Sequence, residues 1–198
     1  MMKALERADF MSNRIQLAVL AKEVMLDKVL TGRILAKRMF DTVQRQPSTF
    51  EAESVIYCDF NRITACDVSF ADAFVISIQR EMQKYTNSLL IIENANQDIL
   101  ENLDGALALR NEKDDTKLNL LIVQYDGYHL LGKLEKNLQE AFSVLSDRHE
   151  ITAREIAQRF EVEINSASNR LKKLFDARLI QRKELLDPNG RQHVYYLP

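Results

Sequence analysis

The chain has 198 residues, with 27 Lys+Arg against 29 Asp+Glu, and is 46% hydrophobic and 28% charged. This is an ordinary globular composition with room for one large domain or two small ones. It excludes a low-complexity chain and, since no apolar run approaches the ~20 residues a bilayer requires, a membrane-spanning helix.

Glu6 and Asp9 fall within the first twenty residues, which lack a small-residue cleavage site, so no signal peptide is expected. Cys58 and Cys66 form no disulfide framework, and a cytoplasmic location is expected. The segment "IQLAVLAKEVML" holds both a possible strand and a possible helix, and periodicity does not arbitrate. Thr31 then precedes "GRILAKRMFDTV", a helix with Ile34, Leu35, Met39 and Val43 expected inward and Thr31 as its cap. "SVIYCDF" reads as a buried strand, and "CDVSFADAFVISIQREM" as a helix capped by Asp67. "SLLIIEN" is another buried strand, followed by the helix "QDILENLDGALALRNEK" with Ile99, Leu100, Leu103 and Leu107 inward. "LNLLIVQYDGYHLLG" has two short apolar runs around Asp126-Gly127, a hairpin signal. Strands alternating with helices over the first two thirds predict a layered α/β domain.

From about residue 133 the pattern turns helical, and a boundary between residues 132 and 133 is expected. "LEKNLQEAFSVLSD" is amphipathic, and Thr152 with Glu155 makes a capping box before Ile156, Ala157 and Phe160. After "EVEIN" comes "SASNRLKKLFDARLI". Two strand-like runs then flank Asp187-Pro188-Asn189-Gly190, where Pro and Gly suit a tight turn. Three helices and a β-hairpin in this order predict a winged helix-turn-helix.

In the third helix Ala167, Leu171 and Leu174 recur at spacings of four and three, and so face a core. The opposite face carries Asn165, Ser166, Asn169, Lys172 and Lys173: short polar groups suited to base edges, then cations suited to phosphates. Asn189, Arg191 and His193 at the hairpin extend that surface. Residues 136–198 hold 11 Lys+Arg against 9 Asp+Glu, and six cations between Arg170 and Lys183 face only Asp176. Such a cluster neutralises phosphates in a DNA reader or lies on a solvated helix face in a protein-only module. "EIAQRFEVEINSASNRLKKLFDARLI" resembles the helix-turn-helix of winged-helix transcriptional regulators, with Glu161 and Glu163 where Gly and Ser are frequent and Arg178 where Gly is usual. The resemblance implies binding to double-stranded DNA, as a homodimer on paired half-sites.

"TGR" before a helix, "CDFNRITACDVSFADAF", the strand "LLIIEN" and the helix "ILENLDGALALRNEK" resemble the STAS-like domain family of unknown function, over about residues 28–113. That family is similar to the anti-sigma-factor antagonists of partner switching, in which a serine at this strand-to-helix junction is phosphorylated by a kinase-type ATPase. Carried over, the resemblance makes Asp59, Asp67 and Ser69 the candidate partner or phosphorylation site. Helix-terminal N–H groups favour a phosphate on Ser69, whereas Asp59, Asp67 and Asp72 are expected to repel it.

No enzyme is expected. His129, His149 and His193 have no metal-ligand spacing, and no phosphate-binding loop or nucleophile elbow occurs. Cys58 and Cys66 read as buried thiols. No catalytic residue, metal or cofactor is expected. The combined expectation is an α/β STAS-like domain at 1–132 that senses a protein partner or ligand, followed by a winged helix-turn-helix at 133–198. The alternative is a partner-switching protein that binds a kinase-type ATPase and uses the winged helix as an adaptor.

Overall fold

The structure is a computed structural model and describes residues 14–23, 28–46, 49–115, 117–187 and 190–198. It is mixed α/β around a five-stranded, mostly parallel sheet. The sheet strands are β1 (Arg14–Gln16), β3 (Val55–Asp59), β5 (Leu89–Glu93), β6 (Leu120–Gln124) and β7 (Gly127–Leu131), in that spatial order. The first three junctions are parallel, and β6 with β7 is the antiparallel hairpin expected at Asp126-Gly127. A separate parallel pair joins β2 (Val29–Leu30) to β4 (Ala65–Cys66). The ambiguous N-terminal stretch is both things in succession, since β1 runs directly into α1 (Leu17–Glu23).

Three further helical stretches belong to this part. These are α2 (Arg33–Gln44), the run of α3 (Val68–Ala71), a π-helical turn (Asp72–Ile76) and α4 (Ser77–Met82), and α5 (Gln97–Asp114). The strands are laid down in one spatial direction, and right-handed crossovers then put successive helices on the same face. One core accordingly joins Ile56, Cys58, Leu90, Ile92, Leu120 and Ile122 to the helices. The alternate strand residues Tyr57, Leu89, Ile91 and Leu121 point to the other face, by the two-residue period of a strand.

That second face is covered by the C-terminal segment. Its helices are α6 (Lys136–Arg148), α7 (Ala153–Phe160) and α8 (Ile164–Asp176). Its strands are β8 (Glu150–Thr152), β9 (Gln181–Asp187) and β10 (Gly190–Tyr196), in the antiparallel order β8-β10-β9. Leu138, Ala141, Phe142 and Leu145 of α6, Ile156 of α7 and Leu171, Leu174 and Phe175 of α8 form one core with Tyr57, Leu89, Ile91 and Leu121. The apolar contact therefore continues across residue 133. The Thr152–Glu155 capping box is present in full.

Two local expectations are corrected. Gly32, not Thr31, stands at the N-cap of α2, with φ of 84° and no side-chain cap bond. Ile34 is 72% exposed, and the buried stripe of α2 is Ala36, Met39 and Val43. These three recur at spacings of three and four and carry the helix onto the core without Ile34. In α3, Asp67 is the cap as expected, its Oδ1 accepting from the Phe70 N–H at 2.6 Å. Phe70, Phe74, Val75, Ile76 and Ile78 are all fully buried.

Candidate functional site

The outward face of α8 holds the polar set read from sequence. Asn165, Ser166, Asn169, Lys172 and Lys173 are exposed, while Ala167, Leu171 and Leu174 are sealed in the core. The helix begins at Ile164, with Glu163 at its N-cap. Lys172 Nζ donates to Asp176 at 2.6 Å and Lys173 Nζ to Glu135 at 3.2 Å. Exposed pairs of this kind contribute little and are readily exchanged for a phosphate. A shallow groove of about 550 Å³ runs between this face and the start of α6, touching Asn137, Ser166, Asn169 and Lys173. Arg191 is exposed on β10, 3.7 Å from Glu184. Asn189 lies outside the described residues, as does Pro188, so the hairpin turn itself is not described.

Asp59, Asp67 and Ser69 do not form one site. Asp67 is a structural tie between two helix starts: beyond its bond to Phe70, its Oδ2 accepts from the Gly32 N–H at 3.0 Å. Asp59 ends β3, is 8% exposed, and its Oδ1 accepts from the Asn61 N–H at 2.8 Å and from Asn94 Nδ2 at 2.7 Å. It lines a cleft that Ser69 does not touch.

Ser69 is exposed, and the adjacent Phe70 ring turns wholly into the core. Of the three acids expected to repel a phosphate on Ser69, one carries its own counter-charges. Asp72 is neutralised from two sides, by Arg33 at 2.9 Å and by an ion pair with Arg110. The hydrogen bond and charge of Asp72 hold the Arg110 guanidinium above its ordinary pKa. Ser69 shares a small hollow of about 190 Å³ with Arg33, Arg110 and Lys113. These cations were not legible beforehand because they come from α2 and α5, some forty residues to either side.

Sequence reading also missed the seam between the sheet-bearing part and the C-terminal helices. Asn87 Oδ1 accepts from the Arg182 N–H at 2.8 Å, and its Nδ2 donates to the Arg182 carbonyl at 3.0 Å. Gln181 Nε2 donates to the Asn87 carbonyl at 2.6 Å. Gln83 Nε2 donates to the Ala177 carbonyl at 3.1 Å, and Arg178 Nη2 returns a bond to the Gln83 carbonyl at 3.3 Å. Arg178 has φ of 58°, the left-handed conformation that favours Gly. Here its side chain also caps the end of α8 by donating to the Phe175 carbonyl at 3.2 Å.

Cys58 and Cys66 are both buried, and burial is the main force raising their pKa values, that of Cys66 to about 12. Neither is a thiolate at neutral pH. Among the described residues, no group of three or more His, Cys, Asp or Glu is placed to hold a metal ion, and no helix is long and apolar enough to cross a membrane. No protein-family model matches the chain, and neither a curated protein nor a solved structure matches it.

Proposed function

We propose that the protein is a DNA-binding transcriptional regulator rather than an enzyme, acting in the cytoplasm. In this reading its C-terminal segment is a winged helix-turn-helix, and its α/β part is a STAS-like receiver of a protein or small-molecule signal. The observation that carries the reading is α8. It follows α6, β8 and α7, precedes the β9–β10 hairpin, and turns a continuous row of short polar and cationic residues to solvent. Asn165, Ser166 and Asn169 would address base edges, and Lys172, Lys173 and Arg191 the flanking phosphates. A single helix of this kind spans few base pairs, so a homodimer on paired half-sites completes the proposal.

The test is selection from a genomic fragment library followed by affinity measurement over a range of salt. Asn169→Ala is expected to cost about 1–3 kcal/mol on the selected site, and Lys172→Ala and Lys173→Ala each to lower the salt slope by about one. Affinity indifferent to all three substitutions would remove α8 as the reading helix. A second reading, partner switching with a kinase-type ATPase, is favoured by one observation: the exposed Ser69 hydroxyl stands beside Arg33, Arg110 and Lys113. Incubation with such an ATPase and ATP, followed by mass spectrometry of the peptide holding Ser69, tests it.

A further inference from the structure

Outside the carboxyl ends of β1 and β3 lies a cleft of about 590 Å³, a volume within the range of small-molecule sites. This is the end of a parallel sheet at which open α/β folds bind ligands. Among the described residues three cations line it, Lys22 from α1, Lys28 before β2 and Arg62 from the turn after β3. All three are exposed, and none forms an ion pair among the described residues. Among the described residues Asp59 is the one carboxylate in the lining, with Asn61 and the apolar Ile63 beside it.

The backbone of the turn is a second, independent mark. The Ile63 N–H donates to the Phe60 carbonyl at 2.9 Å, closing a tight turn over Asn61 and Arg62. Arg62 has φ of 68°. A long side chain at that position is disfavoured relative to Gly or Asn, and such strain gathers at sites where the side chain is needed. The residue held there is the one that delivers a guanidinium to the cleft. Just before the turn, Asp59 is fixed by Asn61 and Asn94 through Oδ1. It is therefore an oriented acceptor.

We infer that this cleft binds a hydroxylated phosphate monoester of sugar-phosphate or nucleotide size. Lys22, Lys28 and Arg62 hold the phosphate, and Asp59 accepts a hydrogen bond from a hydroxyl of the same molecule. Asp59 sets the orientation, because the carboxylate repels the phosphate and attracts only the donor end. The inference deepens the signal-receiving half of the proposed regulator by naming the site and the ligand class.

The experiment is titration calorimetry of the full-length protein at low ionic strength with ribose 5-phosphate, AMP and inorganic phosphate. At least one of the two sugar phosphates is expected to bind about tenfold more tightly than inorganic phosphate, the difference a hydrogen bond to a charged acceptor makes. The tighter of the two distinguishes a sugar phosphate from a nucleotide. Lys28→Ala and Arg62→Gly are each expected to weaken that binding about fivefold or more. Arg62→Gly is also expected to raise the Tm by relieving the turn, the opposite of what a merely structural arginine gives. Lys28→Ala leaves the turn untouched and keeps the test valid if Arg62→Gly perturbs the fold. Failure of both sugar phosphates to bind, equal binding of inorganic phosphate, or indifference to both substitutions overturns the site.

DNA affinity measured with and without the tighter ligand separates the two proposals. Ligand binding with no DNA binding fails the regulator and keeps the site. DNA binding without ligand binding fails the site and keeps the regulator.

Discussion

Asn87 joins the sheet-bearing part to the C-terminal helices, and its replacement measures the strength of that junction. Its side chain makes both a donor and an acceptor bond to the backbone of Arg182, at 3.0 and 2.8 Å. Its own backbone has φ of 59°. Each hydrogen bond is worth about 0.5–1.5 kcal/mol, so loss of the pair costs about 1–3 kcal/mol. Alanine in the left-handed region adds about 1 kcal/mol that asparagine largely avoids. Asn87→Ala is therefore expected to lose about 2–4 kcal/mol. Asn87→Gly loses the same bonds but not the backbone term. Strain relief of about 1–2 kcal/mol exceeds the cost of about 0.4–1 kcal/mol from a freer unfolded chain. Gly is thus expected to be the more stable of the two variants by about 0.5–1 kcal/mol. Urea unfolding followed by circular dichroism, with the m-value held as a check on two-state behaviour, gives both numbers. An alanine variant within about 0.5 kcal/mol of the parent, or a glycine variant below the alanine one, would refute the reasoning.

Asp67→Ala is expected to cost about 2–3 kcal/mol in the same assay, since a helix cap and a charge-assisted bond to Gly32 go together. Asp67→Asn caps nearly as well and should cost clearly less; equal losses would mean that the charge alone matters. Alkaline stability follows from Cys66, raised from 9.0 to about 12 chiefly by burial, and from Tyr128, raised from 10.0 to about 12 by burial and then by the charge of Tyr57. Both groups are held protonated in the folded state, so their contribution is complete below pH 9 and is lost as pH rises from there through 12. The slope is at most about 1.4 kcal/mol per pH unit for the buried Cys66, and smaller for the half-buried Tyr128, whose charge solvent screens. Cys66→Ala is expected to flatten the fall between pH 9 and 12, seen in urea midpoints across that range, and an unchanged slope would exclude the thiol as its source.

The elements legible in the sequence are those whose signals are local. The Thr152–Glu155 box, the Asp126-Gly127 turn, the cap at Asp67 and the alternation of buried and polar positions in α8 each lie within a few residues. The sequence was equivocal where a local pattern fits more than one structure. "IQLAV" serves as strand and helix in succession, and α2 had a plausible inward face through Ile34 until Ala36, Met39 and Val43 proved to be the buried set. Arg33 and Arg110 meet at Asp72 from distant helices, and Asn87 meets Arg182 across 95 positions. Contacts at such separations leave no spacing to read. Arg178 is an intermediate case. Its oddness is visible as arginine in a turn position, but its use is visible only when the partner backbone is in place.

The one-sided winding of the sheet has a consequence for how the chain is made. Tyr57, Leu89, Ile91 and Leu121 are synthesised well before Phe142, Leu171 and Phe175, the residues that cover them. During translation these apolar positions therefore have no cover and are open to the ribosome surface and to chaperones, until the last sixty or so residues emerge. Apolar strand surface of this kind is what aggregates when synthesis stalls. A stall shortly after β7 would release a sticky intermediate, whereas a stall after β10 would release a closed one.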